Sequence, residues 1–164
     1  FRIRLPLLAL RATTADDAPA PAPHARHAPP PDRDRARLDG LRVLVVDDDR
    51  DTRDLLSALL RESGAEVSLA SSAAEALEHF RRDGPPDLLL SDIGMPEEDG
   101  YELVRRVRAL PPDAGGRTPA VALTAYARAE DRRQALDAGY EAHLPKPVEP
   151  AELTSVLARL AARA

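Results

Sequence analysis

Asp47-Asp48-Asp49, Ser91-Asp92, Thr124 and Lys146 each stand at the end of a short apolar, β-prone run. Carboxylates, hydroxyls and an ammonium in such positions meet wherever the runs lie side by side. Singly they have ordinary explanations, since Asp, Ser and Thr at strand ends cap helices or turn the chain. Asp49 or Arg50 suits the cap of the helix that follows. Capping does not account for acids at two run ends together with Thr124 and the single lysine of the chain, Lys146. A group of carboxylates repels itself and takes up a hard cation such as Mg2+ through oxygen. A carboxylate can also attack phosphorus and carry an aspartyl phosphate. The incoming phosphoryl group is negative, and two like charges ~4 Å apart cost about 4 kcal/mol at an intermediate dielectric. Mg2+ would screen the acids and bridge phosphoryl oxygens, Lys146 would neutralise another oxygen, and the Thr124 hydroxyl would donate to a third. The expected chemistry is phosphoryl transfer to an aspartate.

The elements that must hold these residues follow from the hydrophobic periods. Val43–Val46, Glu66–Ala70, Leu88–Leu90, Ala120–Leu123 and Tyr140–Leu144 have the length and content of strands. Helical spacing lies between them, in Leu55/Leu56/Leu59/Leu60, Ala73/Ala76/Leu77/Phe80, Leu103/Val104/Val107 and Ala135/Leu136, and Leu153/Val156/Leu157/Leu160 closes the chain. Strands alternating with helices predict an α/β fold, a doubly wound five-stranded parallel sheet covered on both faces. In that architecture chemistry sits beyond the carboxyl ends of the strands, at the switch in strand order.

Composition bounds the rest. The 164 residues contain 31% charged, 43% hydrophobic and 3% aromatic residues, 16 prolines and no cysteine or tryptophan. Zero cysteines exclude a disulfide scaffold, a cysteine zinc site, an iron–sulfur cluster and a thiol nucleophile. No apolar run approaches the ~18 residues that span a bilayer. A net charge of -5 argues against binding duplex DNA or an anionic membrane. Residues 1–40 hold seven of the prolines and carry +2 (seven Arg against five acids), which leaves -7 for the remainder. Residues 8–39 are expected to be a disordered Pro/Ala-rich linker. His24 and His27 within it are read as solvated rather than as metal ligands. Phe1-Arg2-Ile3-Arg4-Leu5 alternates like a half-buried strand that Pro6 ends. A signal peptide is the competing reading, but its apolar core would be about six residues against the usual ~7–15. Because the chain starts at Phe1, it is expected to be a piece of a longer protein.

Residues 40–164 resemble the receiver domain of two-component response regulators. Val45-Val46-Asp47-Asp48-Asp49 is similar to the family's acidic pocket, and Ser91-Asp92-Ile93-Gly94-Met95-Pro96-Glu97-Glu98-Asp99-Gly100 to its phosphoacceptor loop. Ala122-Leu123-Thr124-Ala125 resembles the segment of the switch hydroxyl, and Lys146-Pro147 the lysine before a typically cis proline bond. The resemblance implies a flavodoxin-like strand order 2-1-3-4-5 and Asp92 as phosphoacceptor. It implies Mg2+ bound by Asp48, Asp92 and the Gly94 carbonyl directly and by Asp47 through water, with Thr124 as switch hydroxyl. The usual inward-turning aromatic three before the lysine is replaced by His143. As a switch residue His143 would make coupling weaker or pH-sensitive; the alternative is a histidine on an edge strand with no such part. Gly94 and Tyr126 hold the positions whose side chains gate hydrolytic water, and they point in opposite directions for phosphoryl lifetime.

Phe1-Arg2-Ile3-Arg4-Leu5-Pro6-Leu7 resembles the last strand of a histidine-kinase ATP-binding domain, so residues 1–7, 8–39 and 40–164 together suggest the end of a hybrid sensor histidine kinase. The donor implied is a phosphohistidine, in a kinase core or on a histidine phosphotransfer protein, with no nucleic-acid or membrane contact in this segment and a cytoplasmic location, membrane anchoring of the parent protein being left open. The segment lacks ATP-binding boxes and the phosphoacceptor-histidine helix, so it would be a phosphoryl acceptor with autodephosphorylation and could not itself use ATP. A haloacid-dehalogenase-like Mg2+-dependent phosphatase is the alternative. It also uses a strand-end Asp, a Thr and a Lys, but Asp47-Asp48-Asp49-Arg50-Asp51 lacks its opening Thr or Val. A pseudo-receiver would lack the acceptor or the lysine. A DNA-binding regulator would need more than the 18 residues after Lys146.

Overall fold

The computed structural model describes residues 36–125 and 129–163. The expected strand at residues 1–5, most of the linker and Tyr126 lie outside them. In chain order the elements are β1 (Arg42–Val46), α1 (Arg50–Glu62), β2 (Glu66–Ala70), α2 (Ala73–Arg82), β3 (Leu88–Asp92) and α3 (Gly100–Arg108). A short 3-10 turn (Pro112–Ala114) leads to β4 (Ala120–Thr124), α4 (Ala129–Ala138), β5 (Ala142–Pro145) and α5 (Pro150–Ala161). The strands form one parallel sheet in the order β2-β1-β3-β4-β5, as expected.

Every residue of β3 and β4 is buried, because central parallel strands are covered on both faces. Alternation along each strand then divides the core in two. Leu44, Val46, Leu89, Ala120 and Ala122 pack with α2, α3 and α4, while Val43, Val45, Leu88, Leu90, Val121 and Leu123 pack with α1 and α5. Among the described residues, no helix is long and apolar enough to cross a membrane.

Helix starts are written in side chains. Asp49, Ser72 and Asp99 each accept a hydrogen bond from the backbone N–H three residues on, at Thr52, Glu75 and Glu102. Asp49 is therefore the cap of α1. Leu55, placed on the apolar stripe by its spacing, is 67% exposed, and Leu136 of α4 is 42% exposed. A helix turns ~100° per residue, so only one of two adjacent leucines can face the sheet squarely, and Leu56 and Leu60 do so.

The element boundaries match expectation in part. β3 and β4 end in Asp92 and Thr124, as expected, whereas β1 begins one residue early, at Arg42. β5 begins at Ala142 rather than Tyr140. The Tyr140 amide is taken by the Ala135 carbonyl at the end of α4, after Gly139 turns with φ 119°, and so cannot join the ladder. Leu38, expected in the linker, is fully buried with the α1/α5 layer, and its N–H donates to the Ser63 carbonyl at 2.8 Å. The packed domain thus starts slightly earlier than residue 40.

Arg108 fastens the far end of the α3/α4 side. Its Nε donates to the Gly139 carbonyl (3.0 Å), its Nη1 to the Thr118 carbonyl (2.8 Å), and its Nη2 to both Glu141 oxygens (2.9 and 3.0 Å). Glu141 in turn accepts the Ala120 N–H at 2.6 Å. Arg108→Ala is expected to lower the unfolding free energy by about 2 kcal/mol, read from urea titration, because it strands carbonyls that water reaches poorly. Arg108→Lys should restore little of this, since one ammonium cannot reproduce the planar fork.

Candidate active site

The parallel sheet delivers the ends of β1, β3, β4 and β5 to one edge of the molecule. Asp47 and Asp48 follow β1, Asp92 ends β3, Thr124 ends β4, and Lys146 follows β5. Asp92 lies beside Leu123 in register, so Thr124 stands one residue beyond the strand partner of Asp92. The Lys146 N–H donates to the Thr124 carbonyl at 2.7 Å, and the Lys146-Pro147 bond is cis.

Asp47 is fully buried and every polar group it has is engaged. Its N–H donates to the Ala70 carbonyl, its Oδ1 accepts the Asp49 N–H (2.9 Å), and its Oδ2 accepts from Lys146 Nζ (2.8 Å). The Asp47 carbonyl accepts from the guanidinium of Arg53 on the first turns of α1. Lys146 Nζ also lies 3.1 Å from Asp92 Oδ1, so one ammonium bridges two carboxylates. Asp47, Asp48 and Asp92 each present an oxygen within 4.8 Å of the other two, with Asp48 exposed and the other two buried. Gly94 is exposed, and a Cβ there would meet only Asp92 Oδ2, at an ordinary 3.7 Å. The Oδ2 face of Asp92 is therefore left open by glycine.

Burial pushes the Asp47 carboxyl above its usual range, against the pull of Lys146 and the Asp49 N–H. Burial acts on Lys146 in the opposite sense, lowering it, but its hydrogen bonds to Asp47 and Asp92 outweigh this and hold the ammonium above the ordinary lysine value. The lysine is a fixed positive charge across the neutral range. An all-oxygen set of three converging carboxylates fits a hard divalent cation, and its mutual repulsion is what such a cation relieves.

The residues singled out by sequence converge as a group: Asp47, Asp48, Asp92, Gly94, Thr124 and Lys146 share this edge. His143 sits half-buried in β5 opposite Ala122, with its Nε2 buried and without a hydrogen-bond partner among the described residues. Arg53 was not expected here. Its position six residues after Asp47, one turn into α1, is the only signal it carries.

Residues 43–158 match the family described as the response regulator receiver domain. An uncharacterised 14.6 kDa protein of Leptolyngbya boryana is 56% identical over 111 residues, covering 68% of this chain and 82% of that one. The protein named Probable histidine kinase 2 of Oryza sativa subsp. indica is 36% identical over 126 residues, which cover 68% of this chain but 12% of the kinase. Among solved structures, the receiver domain of a Pseudomonas aeruginosa sensor histidine kinase, with a magnesium ion coordinated in its active-site cleft, has TM-score 0.68 and 35% identity. That superposition covers 75% of this chain and 98% of the other. The haloacid-dehalogenase alternative finds no support in these matches. The fold, the convergent acidic site with its lysine, and the match over residues 43–158 place this chain in the response regulator receiver family of two-component systems.

Proposed function

We propose that the domain accepts a phosphoryl group on Asp92 from a phosphohistidine, with Mg2+ as the required ion. The observation that carries this reading is the ammonium of Lys146 set between Asp47 and Asp92, beside a cluster of three carboxylates. Asp92 Oδ1 faces the lysine, whereas Oδ2 lies on the glycine side and is the oxygen proposed to attack phosphorus. The new bond is P–O, the bond broken is P–N, and the electron pair returns to the donor imidazole. Lys146 would neutralise a phosphoryl oxygen, and the hydroxyl of Thr124, which ends the neighbouring strand, would donate to another. Asp48, Asp92 and the Gly94 carbonyl would hold the ion, with Asp47 behind them. Mg2+ supplies the positive charge that lets a phosphoryl anion approach three acids.

The donor is the phosphohistidine of a kinase core or of a histidine phosphotransfer protein. The wider protein is proposed to be a hybrid sensor histidine kinase, with this segment on the cytoplasmic side whether or not the parent is anchored in a membrane. The kinase relative and the Phe1–Leu7 resemblance support this, and the latter lies outside the described residues. His143 is proposed as the residue that answers phosphorylation together with Thr124.

Incubation with acetyl phosphate and Mg2+ is expected to yield a hydroxylamine-sensitive acyl phosphate. A chelator should abolish the labelling, and added Mg2+ should restore it. Labelling at full rate in excess chelator would contradict the proposed ion requirement.

A further inference from the structure

Tyr140 is a buried titratable residue that the mechanism above leaves unused. It is 3% exposed, in a chain with only three tyrosines. Its ring belongs to the core layer that contains Ala120 and Ala122 of β4, two residues small enough to leave room over the strand. Its hydroxyl donates to the Gly100 carbonyl at 2.7 Å, forty positions away in the chain. Gly100 opens α3 and is pressed against the phosphoacceptor itself. A Cβ on Gly100 would lie 2.3 Å from the Asp92 carbonyl oxygen, 2.8 Å from Ile93 Cα and 3.0 Å from the Tyr140 hydroxyl. The Gly100 N–H donates to the Ile93 carbonyl, closing the loop that carries Gly94 (3.1 Å). On the other side, the Ser91 hydroxyl donates to the Asp92 carbonyl at 2.9 Å. Burial holds the Tyr140 phenol well above its ordinary value, so it remains a donor at any physiological pH.

We propose that Tyr140 is a positioning residue for the phosphoacceptor: its hydroxyl holds the first turn of α3, and with Ser91 it clamps the main chain of Asp92 and the loop that follows. The inference rests on Asp92 being the acceptor. An attacking oxygen gains its rate from being held in line, and small displacements of it cost large factors. The clamp reaches Asp92 from the α4–β5 junction, so a shift of that junction would be felt at the acceptor.

The test is a double-mutant cycle of Tyr140→Phe and Ser91→Ala, read as the rate of Asp92 phosphorylation by acetyl phosphate at saturating Mg2+. Tyr140→Phe removes one oxygen and keeps the ring, so the fold is retained. Each single variant is expected to slow labelling about three- to tenfold. The double variant should be slowed by clearly less than the product of the two. Saturating Mg2+ keeps the reading independent of ion affinity, which is expected to weaken as well because Asp92 and the Gly94 carbonyl belong to the proposed ion site. Unchanged rates or fully multiplicative effects would each overturn the clamp. Should Tyr140→Phe fail to fold, Ser91→Ala decides alone: slowed labelling at saturating Mg2+ supports the clamp, and an unchanged rate overturns it. A wild-type protein that takes no label at all, or takes it away from Asp92, would instead overturn the acceptor assignment.

Discussion

Asp92→Asn loses phosphoryl labelling from acetyl phosphate by at least about a thousandfold, the scale expected when a nucleophile is removed and its surroundings are kept. Asparagine matches aspartate in size, so the end of β3 and its register with β4 survive. The remaining acids cannot take over. Both carboxylate oxygens of Asp47 are occupied, by the Asp49 N–H and by Lys146, in a residue with no exposed surface. Asp48 is exposed and has no ammonium set against it among the described ion pairs. The metal-free variant should be at least as stable as wild type in urea, because one of three mutually repelling charges is gone. Its Mg2+ affinity should fall for the same reason. Unreduced labelling would mean that the acceptor lies elsewhere.

Lys146→Gln is the second large effect, and it separates two jobs of one ammonium. The labelling rate is expected to fall about a hundredfold, as when a single preorganised positive donor is taken from a developing anion. The metal-free protein should also lose about 2 kcal/mol of unfolding free energy, because buried Asp47 is left without its partner. That figure is set below the usual cost of breaking a buried pair because the Lys146 side chain is 27% exposed. Lys146→Arg should not rescue the rate, since a planar fork cannot stand as a point charge between two carboxylates 2.8 and 3.1 Å away. The raised folded value of Lys146 fixes the sign of its pH dependence. Its contribution is complete below the unfolded lysine value of about 10.4 and is lost only as pH rises through the higher folded one. No fall in rate between pH 7 and 9 should therefore come from this group.

Much of the site was legible because strand-end residues are placed by topology rather than by side-chain detail. Once five apolar runs are strands of one parallel sheet, Asp47, Asp92, Thr124 and Lys146 must meet at its carboxyl edge. Asp49 could be separated from its acidic neighbours because the helix after it needed a cap. What was not legible depends on contacts across the chain. Leu38 reads as a linker residue until Ser63 and the α1/α5 layer are there to receive it. Leu55 and Leu56 look alike until the helix direction exposes one and buries the other. Tyr140 passes for the start of a strand, since nothing local shows that α4 takes its N–H and Gly100 its hydroxyl. Arg53 is one arginine among 22 until it reaches the Asp47 carbonyl.

The central claim is tested most directly by locating the phosphoryl group on the wild-type protein. After incubation with acetyl phosphate and Mg2+, borohydride reduction of the acyl phosphate marks the acceptor as homoserine, and peptide mass spectrometry reads its position. The mark is expected at Asp92 alone. A mark at Asp47 or Asp48, or an acid-stable phosphate on Thr124 or Ser91 with none at Asp92, would contradict it.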